Sequence, residues 1–175
     1  MSKSKKIMLA VFTLLSIFFI ALDQVTKYLA ILYLKGAESI KLIKGVLELH
    51  YLENKGAAFG VLQGQKFFIL FIGVVFLVVL LFCLIKLPDK KKYNLFYYLG
   101  SAMIAGAIGN MIDRIRFDYV VDFIYFSLID FPIFNVADIY ITVSVFVLAV
   151  AVLFFYKEED FEFLNFKSKK YRELK

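Results

Sequence analysis

The chain has 175 residues, 62% of them hydrophobic, and a mean hydropathy of +0.78, which excludes a soluble domain of average composition. Its formal net charge of +6 comes from lysines grouped beside apolar runs, a pattern of inner-leaflet anchoring rather than of a nucleic-acid surface. The single cysteine, Cys83, lies within an apolar run; it rules out an internal disulfide or a Cys-rich metal site and reads as a packing residue.

Four apolar stretches, approximately 7–27, 67–87, 95–113 and 133–156, reach the ~20 helical residues needed to cross a hydrocarbon core. The first follows a basic start, but its apolar run exceeds the usual 7–15 residues of a cleaved signal's core. Its end, Ile20-Ala21-Leu22-Asp23, has no small-residue cleavage site, so it reads as a retained helix. Asp23 and Lys27 stand four apart near the end of this span. They read either as a structural helical ion pair or as an interfacial headgroup site.

The external segment 35–66 begins with partial alternation. Ile40 and Leu42 precede a Lys44-Gly45 turn, and Leu47, Leu49 and Tyr51 face opposite Glu48, His50 and Glu53, as in a half-buried hairpin resting on the membrane. In Asn54-Lys55-Gly56-Ala57-Ala58-Phe59-Gly60, small residues permit close approach of another chain and the Asn54 amide can pair with a peptide; the bland alternative is a bare turn. The second span carries no acid and reads as scaffold.

Asn110, Asp113 and Arg114 share one face at the end of the third span, as helix-end caps or as a binding cluster in which Arg114 neutralises carboxylates with forked hydrogen bonds. The external segment 114–132 is aromatic and apolar but interrupted by Asp118, Asp122 and Asp130, too short and too acidic for a fifth span, so an interfacial helical segment is expected. Asp138 lies a turn or two inside the fourth span. At 1.5 Å per residue, Asp23, Asn110, Asp113, Arg114 and Asp138 converge at the outer face. Lys3, Lys5, Lys6, Lys86, Lys90 to Lys92, Lys157 and Lys167 to Lys170 put both termini in the cytoplasm, despite further lysines between Lys27 and Lys66. One membrane domain, 1–175, accounts for the chain.

An ionised acid at the centre of a span costs about 2.5–3.5 kcal/mol on insertion scales, so such acids point to function. His50 is the only histidine and Ser101 has no lysine at helical spacing, so a histidine metal site, a Ser-His-Asp triad and a Ser-Lys nucleophile all lack parts. No metal or cofactor is expected. Carboxylates remain, with Asp122 and Asp138 as a proton-sharing pair. The rival classes are a proton-coupled transporter, which would spread polar groups through the bilayer depth, and a lipid-binding assembly protein. Neither accounts for two paired Asp motifs.

The ordered stretches Asp23-Gln24-Val25-Thr26-Lys27, Asn54-Lys55-Gly56-Ala57-Ala58-Phe59, Gly109-Asn110-Met111-Ile112-Asp113-Arg114, Val120-Val121-Asp122-Phe123 and Phe131-Pro132-Ile133-Phe134-Asn135-Val136-Ala137-Asp138 closely resemble the bacterial lipoprotein signal peptidase (signal peptidase II) family. The resemblance implies four transmembrane helices with a small extracytoplasmic β-sheet cradle and an interfacial helical segment. It implies an aspartic endopeptidase of the bacterial inner membrane that removes the signal peptide of prolipoproteins before a diacylglyceryl-modified cysteine. It also implies inhibition by globomycin-like cyclic peptides. Asp122 and Asp138 are then the catalytic dyad. Asp23, Asn54, Gly56, Asn110, Arg114 and Asn135 take binding roles, with Lys27 and Asp113 as supporting residues. Which aspartate holds the shared proton is left open.

Overall fold

The computed structural model describes residues 2–56 and 61–164. Four helices, α1 (Lys3–Leu34), α2 (Lys66–Lys86), α3 (Asn94–Phe117) and α4 (Val136–Phe155), are each long and apolar enough to span a bilayer. A three-stranded antiparallel sheet, β1 (Ile40–Ile43), β2 (Leu47–Asn54) and β3 (Val120–Tyr125), lies at one end in the order β1-β2-β3. Ala57, Ala58, Phe59 and Gly60 of the Asn54 motif region, and the lysines from Lys167 to Lys170, lie outside the described residues.

The bundle is apolar on the outside, as the bilayer demands of a protein whose solvent is hydrocarbon. Only Leu84 of α2 is buried, while Phe67, Phe71, Val78 and Ile85 are exposed. The long central helix α3 packs against α1, α4 and α2. Small residues permit this contact: a Cβ at Gly106 would fall 2.5 Å from the Ala137 carbonyl oxygen and 2.7 Å from Ile141 Cγ1, and one at Gly109 would fall 2.3 Å from Asp23 Oδ2. Lipid supplies no hydrophobic drive between helices, so close backbone approach of this kind must supply the packing energy.

Three expectations about the helical segments require correction. First, α1 has 32 residues and continues past Lys27 to Leu34, roughly 48 Å at 1.5 Å per residue, against a hydrocarbon core of about 30 Å. No Gly or Pro interrupts it before Gly36, and its last turn buries Ala30 and Leu34 under the sheet against Val121 and Phe123.

Second, the segment read as an interfacial helix is mostly strand. α3 runs on to Phe117, Asp118 ends it in a left-handed conformation (φ 67°), and Val120–Tyr125 then pairs with the open edge of β2. Only a single 3-10 turn, Ser127–Ile129, is helical. Val120, Val121 and Ile124 favour a pleated surface, and tertiary pairing with β2 outweighs the interfacial amphipathicity.

Third, the fourth span starts at Val136 rather than at 133. Pro132 donates no N–H, the Phe134 N–H and carbonyl pair with Ile124, and Asn135 caps the helix with a reciprocal box to Asp138.

The hairpin forms as expected, with Gly45 at φ 72° in its turn. Glu53 lies on the Tyr51 side, however, accepting from the Tyr51 hydroxyl and from Lys35. The two-residue period of a strand requires this. At the opposite end, the segment after α4 folds back as a 3-10 turn, Glu158–Leu164. It packs Phe161 and Phe163 on Phe96 and Tyr93, and Lys92 is paired with Asp160.

The contact between α3 and α4 yields a test. Gly106→Ala drives a methyl group into the backbone of α4, and overpacking of this kind costs about 1–3 kcal/mol. A lowered thermal unfolding midpoint in detergent is expected; an unchanged midpoint would mean that the two helices part without cost.

Candidate active site

Beneath the sheet, α1 and α3 bring their polar residues to one point. Lys27 of α1 is 2% exposed, and its ammonium lies 3.0 Å from Asp23 Oδ2 and 3.1 Å from Asp113 Oδ2. It also donates to Asn110 Oδ1 at 2.8 Å. All three ammonium protons thus have acceptors. Gln24 completes the cluster, its amide nitrogen lying 3.2 Å from Asp23 Oδ2, 3.1 Å from Asp113 Oδ1 and 3.3 Å from the Gly109 carbonyl. Breaking such a buried cluster by deleting one partner typically costs about 3–5 kcal/mol.

The remaining lone pairs of the two acids hold backbone. Asp23 Oδ1 accepts the Ala137 N–H at 3.0 Å, and Asp113 Oδ2 accepts the Val121 N–H at 3.1 Å. Ala137 immediately precedes Asp138, and Val121 immediately precedes Asp122.

Above this cluster, Asp122 and Asp138 are held by amides. Asp122 is 1% exposed. Its Oδ1 accepts from Asn135 Nδ2 at 2.6 Å and its Oδ2 from Asn54 Nδ2 at 2.8 Å. Asp138 Oδ1 accepts from Asn110 Nδ2 at 2.8 Å and its Oδ2 from the Asn135 backbone N–H at 3.1 Å. Asn135 therefore bridges the two carboxylates, by its side chain to one and by its backbone to the other. Strand geometry aims Asp122. Successive side chains alternate, so Val121 and Phe123 enter the core over Ala30 and Leu34, whereas Val120 and Asp122 face a cavity. Burial, and after it the nearby Asp138, push the Asp122 carboxyl up to about 7.

The cavity encloses about 1060 Å³. Its polar wall includes Asn54, Asn110, Arg114, Asp122 and Asp138; its apolar wall runs from Phe131 to Phe134 and along α4 through Ile139, Thr142 and Val143. Arg114 donates to the Gly56 carbonyl at 2.7 Å and to the Asn110 carbonyl at 3.3 Å. Its charge lies near Asp122, Asp138 and Asp113, but its forked hydrogen bonds run to backbone oxygens rather than to those carboxylates. Gly56 in turn donates its N–H to Asn54 Oδ1 at 2.9 Å, closing a loop around the Asn54 amide.

The sequence-derived residues Asp23, Lys27, Asn54, Gly56, Asn110, Asp113, Arg114, Asp122, Asn135 and Asp138 thus join one hydrogen-bond network. They divide by depth. Asp23, Lys27 and Asp113 are buried below the cavity and absent from its wall, so the ion-pair alternative, not an exposed headgroup site, describes Asp23 and Lys27. Gln24 was not singled out, although positions 23, 24 and 27 share a helical face. The apolar wall at 139, 142 and 143 was also missed, because its spacing from Asp138 is indistinguishable from ordinary lipid-facing periodicity. Among the described residues, no group of three or more His, Cys, Asp or Glu is placed to hold a metal ion.

Residues 15–154 match the family described as signal peptidase (SPase) II. The chain is 47% identical over 138 residues to a lipoprotein signal peptidase of Caldanaerobacter subterraneus, covering 78% of this chain and 92% of that protein. It is 42% identical over 141 residues to one of Streptococcus thermophilus, covering 81% and 89%. A solved bacterial membrane enzyme at 1.9 Å superposes with a TM-score of 0.71 at 36% identity, covering 84% of this chain and 95% of the other. A second, at 2.3 Å, gives 0.71 at 34%, covering 82% and 88%. A four-helix membrane fold, a polar cavity at one end of it and a family match over most of its length converge: the chain belongs to the signal peptidase II family and is a bacterial membrane protease.

Proposed function

We propose that this protein is an aspartic endopeptidase of the bacterial inner membrane that removes the signal peptide of lipid-modified prolipoproteins, cutting before the diacylglyceryl cysteine. The observation that carries the reading is the meeting of Asp122 and Asp138 on one cavity wall, bridged by Asn135. The names of the relatives support the substrate class, and the apolar side of the cavity along Ile139, Thr142 and Val143 suits acyl chains approaching from the bilayer. Globomycin-like cyclic peptides are expected to inhibit by filling the same space.

Two adjacent carboxylates in a dehydrated site do not both ionise cheaply, so they share one proton. We assign it to Asp122, whose burial raises its proton affinity. Asp138 sits in the first turn of α4, where the partial positive end of a helix attracts negative charge, and one of its bonds is from the Asn135 backbone N–H at that helix start. Asp138 then removes a proton from water as the oxygen attacks the scissile carbonyl carbon. Asp122 gives its proton to the carbonyl oxygen. Collapse of the resulting diol breaks the C–N bond, with Asp138 delivering its acquired proton to the amine and Asp122 recovering its own. Arg114 and the Asn54 loop line the path of the peptide.

Asp122→Asn and Asp138→Asn each keep size and polarity while removing the acid or the base. Cleavage of a lipidated precursor in detergent is expected to fall by at least about 10²-fold, the lower range of general acid–base catalysis, with melting temperature retained. Near-wild-type cleavage by either variant would remove that residue from the dyad.

The pH profile tests the proton assignment. The raised Asp122 carboxyl stays protonated below about pH 7 and ionises above it, so its contribution is present in mild acid and lost as pH rises. The rate is expected to fall through an alkaline limb near pH 7; an alkaline limb near pH 4 would contradict a proton held by buried Asp122.

The site is proposed to face outward, with both termini cytoplasmic, because lysines cluster before α1 and between α2 and α3. Single cysteines replacing Lys44, in the hairpin turn, and Lys91, between α2 and α3, in a Cys83→Ala background separate the orientations. With a membrane-impermeant thiol reagent on intact cells, the Lys44 position is expected to react and the Lys91 position only after lysis. The opposite pattern would invert the topology.

A further inference from the structure

The buried cation and its two acids have no place in the proton transfers, yet they touch both segments that carry the dyad. Asp23 holds the N–H of Ala137, one residue before Asp138, and Asp113 holds the N–H of Val121, one residue before Asp122. Among the described residues, Lys27 and Gln24 join the two acids. The third Lys27 contact goes to Asn110 Oδ1, which also accepts from Asn135 Nδ2 at 3.1 Å. With its oxygen engaged twice by donors, the Asn110 amide has one orientation, and its nitrogen must point at Asp138 Oδ1. An ammonium has no acceptor, so it enforces this orientation as a neutral side chain would not.

We propose that Lys27 is the positioning residue of the reaction: through Asp23, Asp113 and Asn110 its ammonium sets the spacing of Asp122 and Asp138 and the hydrogen bond that holds Asp138. It touches neither substrate nor reacting atoms, since it lies below the cavity wall. The effect is therefore on turnover and not on binding. A displacement of about 1 Å at reacting groups lowers rates roughly 10²-fold, and loss of the ammonium unlinks the two acids that hold the backbone and frees one amide at once.

The inference rests on Asp122 and Asp138 being the reacting pair, which their own Asn variants test separately. Lys27→Met alone leaves two buried acids facing each other and risks loss of fold, so the informative variant is Lys27→Met/Asp23→Asn. It deletes one positive and one negative charge together, and replacement of buried ion pairs by neutral groups is often tolerated. The measurements are melting temperature, and KM and kcat for a lipidated precursor peptide in detergent.

The expected result is a folded double variant with KM within twofold of wild type and kcat lower by about 100-fold. Restoring lysine in the Asp23→Asn background is expected to recover at least tenfold of that loss, since Asn can still accept the Ala137 N–H. Wild-type kcat in the folded double variant would overturn the inference while leaving the dyad intact. So would a defect confined to KM, and so would loss of fold in the double variant, which would make Lys27 a stability element. Retained cleavage by the dyad variants would instead overturn the proposed function itself.

Discussion

A single buried ammonium group organises the polar end of this protein. Lys27 sits in a helix among residues otherwise suited to lipid, and a cation there is tolerable only if every proton meets an acceptor. Asp23, Asp113 and Asn110 meet that demand, and each acid has further lone pairs to spend on backbone N–H groups of β3 and α4. One electrostatic requirement therefore draws α1, α3, the third strand and the start of the fourth helix to a common point. Gly109 is part of the same constraint, because any side chain there would occupy the place of the Asp23 carboxylate.

The rest of the bundle answers to a different solvent. α2 shows lipid a nearly continuous apolar surface and contributes one buried residue, so it closes the bundle without entering the site. The helix between them all, α3, is the least apolar of the four, and its glycines let α4 and α1 approach closely where larger residues would hold them apart. The site forms where this tight packing reaches the sheet. Protein rather than lipid then surrounds the non-helical backbone of β3 and of the Phe134 bridge, whose hydrogen bonds are met within the fold.

The strand carrying Asp122 was the least legible element. Aromatic and β-branched residues interrupted by acids fit an interfacial helix and a sheet edge equally well when only local pattern is read. What decides is the unpaired edge of β2, some seventy residues away in the chain. The difference has chemical weight. On a helix, Asp122 would share a face with residues three and four positions away, whereas on a strand it is opposed to Val121 and Phe123. One carboxylate can therefore face the cavity while its neighbours on both sides enter the core.

The sequence by itself determined the solvent of the protein, the number of spanning helices, the hairpin and the ordered motifs that mark its family. These follow from apolar runs of a required length, lysine placement and short-range turn chemistry, all properties of adjacent residues. It also marked the costly polar groups, because a charge beside an apolar run is conspicuous wherever the chain folds. Tertiary structure alone decided how those groups divide. Asp23, Lys27 and Asp113 became a buried brace, Arg114 a donor to backbone carbonyls, and Asn135 the bridge between Asp122 and Asp138. Those roles depend on which lone pair meets which proton across elements far apart in the chain, and no local pattern encodes such pairings.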